Sequence, residues 1–240
     1  MSRGVMGSRN FTTALRRGHG RPLLFTIGHS NHSIWQFVRL LSQHAIEVVC
    51  DVRSVPYSKA NPQFHREELG FSLRKHGIQY LFLGAALGAR TRDPNCIVDG
   101  RLSFSEVAKS EPFTRAIAQV QTLAVSRRVA LMCAEKDHLD CHRTILLSRC
   151  LVANGCSVQH ILDTGDLESH DDTLVRLVAQ LNLTPSLFGS RKELLISAYR
   201  RQEERIAWEP EAPKYGLAAS GVAEFSMELL QEVGNQGVTQ

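Results

Sequence analysis

The chain of 240 residues can fold one sizeable α/β core with appendages and is short for two independent cores. Its 43% hydrophobic and 22% charged residues are ordinary for a globular protein and single out no activity. A net charge of +4, from 28 Lys and Arg against 24 Asp and Glu, is too mild to imply nucleic-acid binding by bulk electrostatics.

Residues 1–21 hold five arginines and no acid, and are expected to form a basic, flexible head. Within them "FTTALRR" faintly resembles a transit peptide, but Gly4, Gly7, Gly18 and Gly20 interrupt any amphipathic helix. "LLFTIGHS" from Leu23 is a short apolar run that breaks at Gly28, as a buried strand would. Ser33 then precedes Ile34, Phe37, Val38 and Leu41 at helical spacing, with Gln36 completing a capping-box pattern. "IEVVCDVR" (46–53) is a second strand, and the two prolines of "VPYSKANPQ" force a loop after it. "REELGFSLRKHG" predicts a helix ended by Gly77, "IQYLFL" a third strand, and "GAALGAR" a glycine-bearing loop with no helix directly after it. Residues 90–111 read as polar and irregular, and Glu111-Pro112 starts a helix along Phe113, Ile117, Val120 and Leu123. "RVALMCA" is a fourth strand. Asp140 is expected to cap a helix from Cys141 to Asn154, ended by Gly155, before a fifth strand, "SVQHIL".

Strands separated by helices of this length require crossovers. The expected fold is therefore a Rossmann-like open sheet of about five mainly parallel strands with helices on both faces, plus a C-terminal helical extension. The predicted organisation is an α/β domain over 22–165, a helical extension over 166–208 packed on it, and a flexible tail over 209–240, rich in Gly, Ala and Ser from Gly216 onward. No apolar run reaches the roughly 18–20 residues of a membrane span, and no signal-peptide core is present. A cytoplasmic location without membrane association is expected. The six cysteines lack CxxC pairing, which points to reduced thiols.

In an open parallel sheet, ligands settle outside the carboxyl ends of the strands. His29 and Ser30, Asp51 and Arg53, Gly84 and Gly88, Cys133 and Glu135, and Asp163 all leave strands at that edge, whereas the opposite loops ("QHAI", "KHG", "AVSRR", "ANGC") hold little chemistry. Arg53 can fork two hydrogen bonds onto a phosphate or carboxylate, or instead pair with Asp51 to pin its loop. Cys141, at a helix start beside His142 and Arg143, suits a thiolate, or a small buried packing residue. Cys133, Cys141, His138 and His142, with His29 and His32, offer donors to zinc. Seven residues separate the two cysteines, however, so the spacing argues against a metal and no ligand set is assigned. "GAALGAR" lacks the GxGxxG fingerprint of a dinucleotide site.

"IGHSNHS", "DVRSVPYS" with Phe64 after it, the "LG" of "GAALGAR", and "LMCAEKDHLDCHR" occur in order and together resemble the family called domain of unknown function 488. The resemblance spans roughly Leu23 to Gly165, and "AYRRQEERIAW" is similar to the helical end of many members. It implies an α/β fold and a characteristic set comprising Gly28, His29, Ser30, Asp51, Arg53, Pro56, Ser58, Cys133, Glu135, Cys141, His142 and Arg143. It names no reaction and no cofactor.

The primary expectation is an enzyme acting on a nucleotide, nucleobase or nucleic acid. Glu135, Cys141 and His29 would be its catalytic groups, and Ser30, Asp51, Arg53, Ser58, Cys133, His142 and Arg143 would hold an anionic small molecule or nucleic acid. The alternatives are a non-catalytic nucleotide or nucleic-acid binding module, in which the basic head adds salt-dependent attraction, and a cysteine-based redox or metal-binding protein.

Overall fold

A computed structural model describes residues 21–91, 93–184 and 190–210; the basic head and the Gly/Ala/Ser-rich tail lie outside this range. Short runs form the strands β1 (Leu23–Gly28), β2 (Val48–Asp51), β3 (Gln79–Phe82), β6 (Val129–Cys133) and β7 (Ser157–Ile161), all mutually parallel where they pair; β1, β2 and β6 are mostly buried, whereas β3 is half-exposed. A sixth strand, β8 (Leu167–Ser169), pairs antiparallel with β7, and the sheet order is β3-β2-β6-β1-β7-β8. The Rossmann-like expectation is therefore met, with one more strand than foreseen.

Alternate side chains feed two cores. Phe25, Ile27, Val49, Ala130 and Met132 face α1 (Ile34–Gln43) and α2 (Arg66–Lys75), joined by Phe37, Leu41, Phe64 and Leu69. Leu24, Val48, Cys50, Val129 and Leu131 face the other way, towards α5 (Glu111–Ser126), α7 (His170–Gln180) and α8 (Arg191–Ile206). This period-two split is what a sheet covered on both faces demands. Ser33 accepts the Gln36 amide at 3.2 Å to start α1, and Gly77 and Gly155 adopt positive φ where the helices before them end.

Four local expectations are corrected. "GAALGAR" begins with a one-turn helix, α3 (Gly84–Leu87), directly after β3. Residues 90–111 contain a hairpin of β4 (Ile97–Val98) and β5 (Arg101–Leu102) and a short α4 (Phe104–Lys109), capped by Ser103. Residues after 166 are not purely helical, because β8 precedes α7. Asp140 does not cap the helix that follows. That helix opens with a π-helical turn over Arg143–Ser148 before α6 (Arg149–Ala153), its widened turn bridged by Ser148 Oγ donating to the Arg143 carbonyl at 2.7 Å.

The topology makes one crevice. From β2 the chain moves outward to β3, whereas from β6 it moves the other way across β1 to β7. The loops therefore part above the β2–β6 boundary, where an open α/β sheet takes its ligand.

Candidate functional site

The β2 loop is set by its ion pair. Asp51 is fully buried and Arg53 nearly so; Arg53 Nε and Nη2 donate to the two Asp51 oxygens at 2.9 and 2.6 Å, and Nη2 also donates to the Phe64 carbonyl at 2.9 Å. Tyr80 Oη donates to Asp51 at 2.7 Å. Arg53 Nη1 lies 3.1 Å from His29 Nε2, and the His29 ring stacks on Phe64 at 4.3 Å while its Nδ1 faces the Ser30 carbonyl at 2.8 Å. Burial, with Arg53 adding, pushes the His29 pKa down to about 4, so the ring is neutral and accepts from Arg53. Of the two options for Asp51 and Arg53, the geometry is that of the pair pinning its loop. Arg53 keeps one Nη1 hydrogen for anything else.

The β6 loop carries the reactive groups. Cys133 ends the strand, residues 138–140 make a short 3₁₀ turn started by Asp137, and extended Cys141 leads into His142. This fold-back closes the seven-residue gap. Cys133 Sγ and Cys141 Sγ lie 3.9 and 3.6 Å from His142 Nδ1, and Cys141 Sγ lies 3.0 Å from Glu135 Oε2. Burial alone would raise the Cys141 thiol. The Cys133 S–H, the Arg143 guanidinium and His142 outweigh it and hold Cys141 well below the ordinary thiol range. Cys133 moves the opposite way through the same hydrogen bond, and His142 is raised because the Cys141 thiolate overcomes its burial. Glu135 is an exposed residue whose Oε2 nonetheless reaches Cys141 Sγ; burial of the carboxyl, then the Cys141 thiolate, raises its pKa.

Arg143, although 1% exposed, is not a ligand hand. Its Nη1 and Nη2 donate to the Glu135 and Lys136 carbonyls at 2.8 and 3.2 Å, fixing the loop that presents Glu135. Gly28 is required opposite it, because a Cβ there would collide with the Glu135 carbonyl oxygen. Gly84 likewise leaves room for the Arg53 carbonyl.

These two loops and the segment after α3 enclose a cavity of about 270 Å³. It is lined by Arg53, Ser54, Val55, Tyr57, Ala89, Arg90, Cys133, Ala134, Glu135 and His142, with Cys141 behind them. Five of the sequence-selected residues thus meet here or directly beneath: Arg53, Cys133, Glu135, Cys141 and His142. Asp51, His29 and Arg143 brace them from below. Ser30 and Ser58 lie outside the cavity. Ser30, at φ 47, bonds Asn31, and Ser58 Oγ accepts the Asn61 amide at 3.2 Å. Ser54 and Tyr57, whose hydroxyls the sequence already placed beside Arg53, line the cavity, whereas sequence reasoning missed Arg90. Arg90 is exposed and forms no ion pair among the described residues; its signal was its place at a carboxyl-edge loop. A second, larger cavity of about 790 Å³ on the other side of Glu135 is crossed by ion pairs of Arg176 with Asp137 and Glu168 and of Lys136 with Asp163.

The fold and this edge define a class: an open α/β protein with a thiol–imidazole–carboxyl cluster at its topological switch point. Residues 33–150 match the family model described as Domain of unknown function DUF488, and the match supports assigning the chain to this family. No curated protein and no solved structure matches the chain. No helix among the described residues is long and apolar enough to cross a membrane.

Proposed function

We propose that the chain is an enzyme acting on a small anionic substrate of the nucleotide or nucleobase class, bound in the 270 Å³ cavity, with Glu135 as its proton-transfer group. One observation carries the reading: one cavity at the switch point joins Arg90, a cation with no ion pair among the described residues, an exposed aromatic ring, Tyr57, and the Cys133–Glu135–His142 wall. Glu135 lines the cavity with its carboxyl 3.0 Å from Cys141 Sγ, which places a proton-exchanging group beside a bound molecule. Arg90 supplies the charge for a phosphate or carboxylate in place of Arg53 and Arg143, which are occupied. The volume falls just below the roughly 300–1,000 Å³ usual for small-molecule sites and suits one nucleoside unit better than a polymer.

The four ribonucleoside monophosphates are the probes. Calorimetric titration should find at least one that binds, and Arg90→Ala should weaken it by about ten- to a hundredfold, the value of a charge-assisted hydrogen bond of roughly 1.5–3 kcal/mol. Glu135→Gln should leave that affinity within a few-fold. Failure of all four to bind, or equal binding by Arg90→Ala, removes the reading.

A further inference from the structure

We propose that Cys133, Cys141 and His142 hold one zinc ion beside Glu135, with the fourth position of the metal directed at the cavity. The three donor atoms, all buried, lie within 4.8 Å of one another. A tetrahedral zinc with Zn–S of about 2.3 Å and Zn–N of about 2.0–2.1 Å separates its nitrogen and sulfur ligands by about 3.6 Å. The His142 Nδ1 to sulfur distances, 3.6 and 3.9 Å, already match that edge.

The donor set selects the metal. Two thiolates and an imidazole suit zinc and exclude hard cations such as magnesium and calcium. Burial points the same way. Cys133, Cys141 and His142 are 4%, 2% and 6% exposed, so two sulfurs and a ring nitrogen are turned towards one another away from water, a grouping whose burial a bound cation would offset. The site is also braced from outside: Arg143 fixes the Glu135 and Lys136 carbonyls, and its amide points at Cys141 Sγ at 3.5 Å.

Three protein ligands with a free fourth position are the pattern of catalytic zinc, where the ion activates a water and a nearby carboxylate receives the water's proton. Glu135 has that placement, 3.0 Å from the Cys141 sulfur and lining the cavity. The substrate class follows. The cavity would take a hydrolysable carbon centre, such as an amidine or ester carbon, with an anionic group at Arg90. Water adds to that carbon, the bond from the carbon to its leaving nitrogen or oxygen breaks with the electron pair going to that atom, the water's proton passes through Glu135 onto it, and no other reagent is consumed. This catalytic part rests on the enzymatic reading above; the metal site does not.

Metal analysis of full-length protein purified without chelator should find zinc at one per chain. After removal of zinc, cobalt(II) titration should give a thiolate-to-cobalt charge-transfer band with a one-equivalent end point. Cys133→Ser and Cys141→Ser should each weaken cobalt binding by more than the roughly 10–100-fold that loss of an outer-shell partner costs. Glu135→Gln and Cys156→Ser should stay within about tenfold of wild type by the same yardstick. Absence of the band in the wild-type protein, unchanged cobalt affinity in both serine variants, or a Cys133–Cys141 disulfide with no metal would each overturn the site. The wild-type titration is decisive even where a variant fails to fold. A cobalt band together with no monophosphate binding would sink the substrate reading alone.

Discussion

Asp51 and Arg53 stand two positions apart at the end of β2, and their spacing decides their role. Extended backbone puts both on one side, where the guanidinium meets both carboxylate oxygens before it can meet a ligand. The pair is buried, so its worth is not its Coulomb attraction but what happens when one half is removed. Asp51→Ala leaves Arg53 charged, buried and facing a neutral His29, and should cost about 3–5 kcal/mol in urea unfolding. Tyr80→Phe removes one of the several donors to Asp51 and should cost about 1 kcal/mol. An Asp51→Ala loss below that of Tyr80→Phe would show that water reaches the pair and that Arg53 has freedom to bind an anion after all.

Between β7, α7, α8 and the 138–140 turn runs a chain of buried imidazoles. Thr26 Oγ1 meets His160 Nδ1 at 2.7 Å, His160 Nε2 meets His170 Nδ1 at 3.2 Å, His170 Nε2 meets Tyr199 Oη at 2.9 Å, and His138 stacks on His160 at 4.1 Å. Burial pushes His138 and His170 down to about 4 and His160 well below its usual value. Arg143 and Arg176 add to this at His138 and His160, while Glu168 and Asp137 oppose it at His138 and Asp171 opposes it at His170. A histidine whose folded pKa is depressed stays neutral in the fold while the unfolded chain takes up a proton below about 6.5. Stability is therefore fully present above about 6.5 and falls from there towards 4, by up to about 1.4 kcal/mol per pH unit for each such ring. Urea midpoints measured from neutrality down to pH of about 5 should drop accordingly, and His160→Gln should flatten the slope. A midpoint that does not move would mean that these rings are hydrated. The elements that make this layer also show what periodicity can report. α5 and the five parallel strands announced themselves, whereas the three-residue β8, the one-turn α3 and the two-residue β4 and β5 are too short to show a period. The π-turn is set by Ser148 bonding the Arg143 carbonyl, a contact that no spacing of apolar residues encodes.

The location of the cavity was readable because it follows from topology: parallel strands send every carboxyl-edge loop to one side of the sheet. The division of labour there was not, because it depends on what packs underneath. Arg53 and Arg143 spend most of their donors on partners, whereas Arg90, in a loop with a weak motif, lines the cavity with no ion pair among the described residues. The spacing argument against a shared site for Cys133, Cys141 and His142 failed for the same reason, since linear spacing cannot report a turn that folds Cys141 back onto Cys133. That turn is held by a helix some sixty residues further on. In α8, Ala198, Tyr199 and Gln202 are buried at helical spacing, and Gln202 Nε2 donates to the Leu139 carbonyl at 2.9 Å and to Asp140 Oδ1 at 3.2 Å. A buried glutamine costs free energy unless it is used, so its place is best explained by the loop it steadies. Gln202→Ala leaves the Leu139 carbonyl buried and unpaired and should cost about 1–3 kcal/mol. The more telling measurement is native-state hydrogen exchange. The amides of Leu139 and Thr144, bonded to Asp137 Oδ1 and the Cys141 carbonyl, should exchange faster in the variant, while those of Val129 to Cys133 in β6 hold their protection. Equal exchange at both sets would reduce α8 to packing; faster exchange confined to the turn would make the C-terminal helix a working support of the cysteine site.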